Sequence, residues 1–199
     1  SESKPMQLAE AGYQVVIATA SHLYFDFAYC NHHEEKGLNW GGYTDEYRSF
    51  DWEPLIHPNV IGMNAQLWGE VIRSFSQVEW QIYPKIYGLV ERAWNNRSAL
   101  TLSEYNQLVY EVFLPQLAAS GRHFHIQQPG VKQLTVDSLQ VIVAMNKVME
   151  GGEIIYRVDN GEWQVYHAPV LVPEGTEIVQ AKVRYLGKES NTTWLWLEK

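Results

Sequence analysis

A chain of 199 residues with a single cysteine, Cys30, has no internal disulfide framework, and its redox compartment stays open on that count. Positive charge is scarce too. Fifteen Lys and Arg face twenty-three Asp and Glu, a net charge of −8. This divides as −6 over residues 1–130 (eight basic, fourteen acidic) and −2 over the remainder (seven basic, nine acidic). With no basic stripe to replace counterions on phosphate, a nucleic-acid partner is disfavoured. No apolar run reaches membrane-spanning length, and Ser1-Glu2-Ser3-Lys4-Pro5 lacks the apolar centre of a signal peptide, so any export signal is expected upstream. Aromatic residues, by contrast, are plentiful. Eight Trp and twelve Tyr exceed what a core of this size needs, and aromatic faces stack on the apolar faces of sugar rings as well as filling cores.

The chain reads as two pieces, residues 1–126 and 127–199. Residues 14–20, Gln-Val-Val-Ile-Ala-Thr-Ala, and 60–67, Val-Ile-Gly-Met-Asn-Ala-Gln-Leu, predict two strands buried on both faces of a parallel sheet. Residues 21–59 between them show little periodicity and are too long for an ordinary connection, which predicts a functional loop. A helical spacing follows through Ile82, Ile86, Leu89, Val90 and Ala93, with Pro84 in the first turn of a second helix. Thr101-Leu102-Ser103-Glu104 has capping-box spacing and opens a helix that ends at Ser120-Gly121, with Leu108, Val109, Val112 and Leu117 as its apolar stripe and Pro115 as a kink. Two parallel strands cannot by themselves close a barrel or complete a doubly wound sheet, so further strands are expected upstream.

At Gln127-Gln128-Pro129-Gly130 the pattern changes period from 3.6 to 2. Strands are expected at 140–148, 153–159, 163–167, 177–186 and 192–198, enough for a small β-sandwich. Asn160-Gly161 is the preferred pair for a two-residue hairpin turn, which sets Val158 opposite Trp163 and Tyr156 opposite Val165.

Chemistry-bearing residues cluster after the two parallel strands, where α/β barrels build their sites. Tyr24-Phe25-Asp26 and, further along the loop, Trp40 follow the first; Trp68-Gly69-Glu70 follows the second. Tyr24 and Asp26 are two apart, as are Trp68 and Glu70, so extended backbone turns each pair to one side. A phenol, two carboxylates and two indoles make a sugar site, carboxylates accepting from hydroxyls and indoles stacking. Core filling is the competing role for any one Trp.

The strings Ser21-His22-Leu23-Tyr24-Phe25-Asp26, Glu34-Glu35-Lys36-Gly37-Leu38-Asn39-Trp40, Val60 through Glu70, Pro84-Lys85 and Glu91-Arg92-Ala93-Trp94 resemble the family twenty glycoside hydrolases, the exo-acting β-N-acetylhexosaminidases. The order of barrel end, Pro-Gly linker and β-domain is similar to the bacterial chitobiases. The resemblance implies an α/β fold: the last strands and helices of a (β/α)8 TIM barrel, followed by a small immunoglobulin-like β-sandwich. It implies hydrolysis of terminal N-acetylhexosamine from chitooligosaccharides, with the substrate's own acetamido oxygen as nucleophile. Tyr24 would donate to that oxygen, Asp26 and Glu70 would accept from hydroxyls, Trp68 would line the pocket and Trp40 would wall the aglycone side. No cofactor is implied; a periplasmic or secreted setting is.

The family's acid, a Glu after an Asp in a His-x-Gly-Gly-Asp-Glu string, has no counterpart here, nor does its upstream arginine. Thr44-Asp45-Glu46 holds the dipeptide in a loop instead of after a buried strand, and reads as a decoy. The chain alone is therefore expected to be inactive, its partner being the missing N-terminal barrel segment as a companion chain or upstream sequence. The alternatives are a noncatalytic carbohydrate-binding protein or adaptor, and a purely stabilising role for residues 131–199. His32-His33-Glu34-Glu35 reads as solvated loop charge and not as a metal site, no HExxH pattern being present. His123 and His125, at a domain boundary, read as surface or interface residues, and Cys30 as a plain small side chain. Trp194 and Trp196 share a strand face, either as a sugar-binding stripe or as packing. The sequons at Asn96-Arg97-Ser98 and Asn191-Thr192-Thr193 decide nothing alone.

Overall fold

A computed structural model describes residues 3–95, 99–137, 140–147 and 149–197. It divides into two units, Ser1–His125 and Ile126–Lys199. The triplet Asn96-Arg97-Ser98 and the expected strand ends at Val148 and Glu198 lie outside the described residues.

In the first unit, helix α1 (Lys4–Glu10), with Pro5 in its first turn, leads into strand β1 (Val15–Ile17). β1 pairs in parallel with β2 (Val60–Met63), Val16 opposite Gly62 and Ile17 opposite Met63. The pair is parallel as expected but not buried on both faces: Val16 is 51% exposed and Ile61 58%. Each β-branched face needs a packed layer to leave water, and here one face of the pair has none. The segment 21–59 is also more ordered than a plain loop, since it holds one turn of helix, α2 (Ala20–Leu23), and α3 (Glu46–Phe50).

Helix α4 (Phe75–Ile82) starts where Ser74 accepts from the Gln77 N–H, and α5 (Lys85–Trp94) starts at Pro84, which stands as its N-cap. α5 lies close on α3: a Cβ on Gly88 would fall 2.3 Å from Ser49 Oγ and 2.6 Å from Phe50 N. Any larger residue there would push the two helices apart. Thr101 and Glu104 form both halves of the capping box that opens α6 (Leu102–Gln107). The helix then widens into a π-helical segment (Leu108–Phe113) before α7 (Leu114–Ala119). Pro115 has no N–H to return to the preceding turn, and a π turn places its irregularity just before it. The extra residue per turn slips the phase of the stripe. Tyr105, Val109, Tyr110 and Leu114 are buried, whereas Val112, expected inside, is exposed.

The second unit is antiparallel β throughout its described residues. β3 (Gly130–Asp137), β4 (Gln140–Asn146) and β7 (Val170–Leu171) form one sheet in the order β3-β4-β7. β5 (Glu153–Val158), β6 (Gln164–Val165), β8 (Ile178–Tyr185), β9 (Lys188–Glu189) and β10 (Thr193–Trp196) form the other, in the order β10-β8-β5-β6 with β9 on β8. Period two governs the core: Val179, Ala181, Val183 and Tyr185 of β8 all point inward and are buried.

The β5–β6 register differs from the expected one by a residue, with Ile155 opposite Val165 and Tyr156 opposite Gln164. The turn sits earlier than Asn160-Gly161. Asp159 takes a positive φ of 49°, and Gly161 N donates to Val158 O at 2.9 Å, so Asp159-Asn160 forms the bend. Asp159 is held there because its Oδ1 accepts from Glu177 N and Ile178 N, both at 3.0 Å. The type I′ turn that sequence pattern placed at Asn-Gly occurs at Leu186-Gly187, with φ of 49° and 73°, between the paired residues Tyr185 and Lys188.

A left-handed leucine is strained, whereas asparagine tolerates that conformation. Leu186→Asn is therefore expected to stabilise the chain by about 1 kcal/mol, read as a higher unfolding midpoint in urea; a lower midpoint would mean that the Leu186 side chain contributes more than its backbone strain removes.

Candidate functional site

β1 ends at Ile17, and the helical turn α2 separates it from Tyr24. The chain then rejoins the parallel ladder for one residue: Tyr24 bridges Gln66, Phe25 N donates to Gln66 O at 2.7 Å, and Gln66 N donates to Leu23 O at 2.8 Å. This register brings Tyr24-Phe25-Asp26 beside Trp68-Gly69-Glu70. Asp26 reaches the site by a turn and not by extended alternation, since Phe27 N donates back to Tyr24 O at 3.2 Å. Trp40 arrives from the other side. Leu38 bridges Phe27, Leu38 N donates to Asp26 O at 2.8 Å, and Gly37, at φ 132°, lies so close that a Cβ would sit 2.5 Å from Ala28 N.

Tyr24, Trp40 and Trp68 thus meet on one wall, and Asp26 and Glu70 lie near enough for their charges to interact. The Tyr24 ring sits 6.4 Å from Trp40 at 80° and 6.3 Å from Trp68 at 62°, and Phe27 backs Trp40 edge-on at 5.1 Å. Trp40 is 69% exposed and Trp68 49%, so neither indole fills a core. Asp26 is fully buried, and neither carboxylate oxygen has a hydrogen-bond partner. Burial first, and then the nearby Glu70 charge, raise its pKa, against the neighbouring N–H groups of Asp26 and Trp68 and the charge of Lys85. A buried acceptor without a hydrogen-bonded donor is costly.

What holds Asp26 in place is Lys85, fully buried at the start of α5. Its Nζ donates to Phe25 O at 2.9 Å, to Phe27 O at 2.6 Å and to Gln81 Oε1 at 3.3 Å, and lies 3.9 Å over the Tyr29 ring. The two carbonyls flank Asp26, so one ammonium clamps the turn. Burial lowers the Lys85 pKa to about 7, opposed by the surrounding carboxylates, with Glu35 and Glu46 first. Sequence pattern singled out no role for Lys85 beyond its place in a Pro-Lys string; a lysine on the inner face of an amphipathic helix was the available signal.

Two further carboxylates behind the wall are structural. Asp45 caps α3 by accepting from Arg48 N at 2.8 Å, and Glu46 is buried with Tyr110 donating to its Oε1, so Glu46 faces the helical layer. Burial first, and then Asp45, raise the Glu46 pKa to about 7. The Glu35 carboxylate, expected in solvent, is buried with its Oε1 2.8 Å from Nε2 of the equally buried His125, whose ring stacks on Tyr29 at 3.6 Å. Neither is a surface group, because Tyr29 and Trp80 close over them. Cys30 Sγ lies 3.9 Å from Glu35 Oε2. Among the described residues no group of three or more His, Cys, Asp or Glu could hold a metal ion, and no described helix is long and apolar enough to cross a membrane.

Residues 1–97 match the model of the glycosyl hydrolase family 20 catalytic domain. β-Hexosaminidase B of Pseudoalteromonas piscicida is 29% identical over 118 residues, covering 45% of this chain and 15% of that protein. N,N′-diacetylchitobiase of Vibrio harveyi is 23% identical over an alignment covering 82% of this chain, more than the first unit can account for, and 23% of that protein. The chain therefore spans less than a quarter of the length of either. Among solved structures, a mutant Streptomyces plicatus β-hexosaminidase in complex with its product GlcNAc is 27% identical with a TM-score of 0.55, over 61% of this chain and 25% of that one.

Lys85→Met removes the donor to two buried carbonyls and is expected to destabilise the chain by about 3 kcal/mol, measured by denaturant unfolding; a loss below ~0.5 kcal/mol would show that the clamp is dispensable. A raised pKa on Glu46 contributes stability that is whole below the unfolded value of 4.5 and is lost as pH rises through about 7. Glu46→Gln should therefore compare more favourably with the parent at pH 8 than at pH 5. Equal differences in melting temperature at the two pH values would refute the shift.

Proposed function

From a first unit that is part of a family 20 glycoside hydrolase catalytic domain, we propose that this chain is the sugar-gripping end of an exo-β-N-acetylhexosaminidase of chitobiase type. The observation that carries the reading is the Tyr24 ring set against two solvent-facing indoles, with the buried carboxylate of Asp26, two residues on, lacking a hydrogen-bond partner. Such a wall fits a hexose: flat apolar ring faces lie on indole, and ring hydroxyls donate to carboxylate.

In this reading Trp68 lies under the terminal N-acetylhexosamine, Asp26 and Glu70 accept from its hydroxyls, and Trp40 stacks toward the leaving group. Tyr24 donates to the acetamido oxygen as that oxygen attacks the anomeric carbon. The phenol orients the attack and offsets charge developing on the oxygen, and the oxazoline-like intermediate is later opened by water. The first unit is the closing part of a TIM barrel and the second an immunoglobulin-like appendage. The exposed sides of β1 and β2, at Val16 and Ile61, are where neighbouring barrel strands pack. A companion segment supplies the Asp-Glu acid pair, for neither Asp45 nor Glu46 is placed to protonate a leaving oxygen beside Tyr24. The substrate class, β-linked N-acetylhexosamine chains, is supported by the GlcNAc product bound in the Streptomyces plicatus relative.

Hydrolysis of a chromogenic N-acetylglucosaminide should be undetectable with this chain and appear when it is combined with a barrel segment bearing the Asp-Glu pair. Within that complete enzyme, Tyr24→Phe should lower kcat by roughly a hundredfold or more while changing KM little, because its bond strengthens in the transition state. A variant with unaltered kcat would remove Tyr24 from the reaction, and turnover by the chain alone would overturn the division of labour.

A further inference from the structure

A second aromatic surface lies wholly within the second unit. β10 is the end strand of its sheet among the described residues, and its partner β8 aligns Trp194 with Gln180 and Trp196 with Ile178. Residues two apart on a strand share a face, so the two indoles stand in a row about 7 Å apart. The other parity is tied down: Thr193 Oγ1 donates to Pro129 O at 2.6 Å. The indole face is therefore the outward one, with Trp194 42% exposed and Trp196 66%. Packing within the unit, the competing role for such a stripe, does not account for rings this open.

Beside them is a groove of about 570 Å³, whose polar lining comes from Asp159, Asn160, Glu177 and Gln180. This rim is preset. Asp159 is anchored by the N–H groups of Glu177 and Ile178, and Gln180 Oε1 accepts from Arg157 Nε, which leaves the NH2 as that amide's donor. Among the described residues two carboxylates, two amides and no cation line the groove, so its lining offers a phosphorylated or acidic ligand no counterion. Indoles offer stacking faces; carboxylates and amides offer acceptors and donors for hydroxyl and amide groups. The chemistry that matches both is a neutral, polyhydroxylated ring presented face-on.

We infer that this groove is a second glycan site, which holds a neutral β-linked N-acetylhexosamine oligosaccharide across Trp194 and Trp196, apart from the wall built by Tyr24 and Asp26. The choice of N-acetylhexosamine rests on the function proposed for the first unit; stacking on the two indoles does not. Such a site would keep the enzyme on a polymeric substrate while single sugars are removed elsewhere, raising the local concentration of chain ends.

The test is calorimetric titration of the 199-residue chain with N-acetylchitohexaose, in a Trp40→Ala/Trp68→Ala background that disables the first wall. Binding should persist in that background. Adding Trp196→Ala, at a position too exposed to endanger folding, should weaken it about tenfold, and Trp196→Tyr should restore most of the loss. Silence in the Trp40→Ala/Trp68→Ala chain while the parent binds would overturn this site alone and leave the first wall standing. Binding indifferent to Trp196→Ala would likewise overturn it. Silence of the parent as well would overturn both readings.

Discussion

One buried ammonium organises the first unit. Lys85 enters the protein interior against the ordinary preference of lysine for water, and does so where two backbone carbonyls, an amide oxygen and a tyrosine face replace its hydration. Its position is fixed from below by α5, which Gly88 allows to lie directly on α3, and by Ser49 Oγ, which donates to the Lys85 carbonyl at 2.8 Å. The two carbonyls it binds belong to Phe25 and Phe27. The residue between them, Asp26, is thereby presented with its carboxylate unpaired, a state that needs a rigid frame because a mobile one would collapse to satisfy it.

That frame also explains why so many polar groups lie behind the wall. The side chains of Glu35, Glu46, His125 and Lys85 are buried, and burial moves Lys85 and His125 downward and Glu46 upward, while the opposite charges around them partly offset each shift. Breaking any one leaves another buried group without compensation. The cluster therefore stiffens the base of the site while the open side is left to two exposed indoles and a phenol. Rigid support beneath an open, aromatic face is the arrangement that binding a flat polar ring requires.

Much of this was legible in the chain, and the failures have identifiable causes. The parallel pairing of β1 and β2 followed from two β-branched runs, and the capping box at Thr101 from its spacing. Tyr24, Asp26, Trp40, Trp68 and Glu70 could be named from their strings, and the structure brings the rings of Tyr24, Trp40 and Trp68 together. The register of β5 and β6 could not be read, because Asp159 bends the chain one residue early through bonds to β8, a partner distant in sequence. Val112 was misplaced because a π turn has no signature in an apolar stripe. Glu35 looked like solvated charge and His125 like a surface or interface residue, and their buried pairing could not be read because nothing in their own neighbourhoods announces a partner ninety residues away in the chain. Lys85 escaped for the same reason. Long-range polar contacts are invisible to periodicity, which reports only where apolar side chains recur.

The central claim is that Tyr24, Asp26 and the two indoles form a single sugar-binding wall on the Lys85 clamp. It is tested most directly by the indole N–H resonances of Trp40 and Trp68 in the 15N-labelled chain, assigned by single substitution and followed during titration with N-acetylglucosamine. The account predicts that both shift together, along one saturation curve, and that the response is lost in Asp26→Ala. Resonances that stay in place, or that move with different affinities, would contradict it.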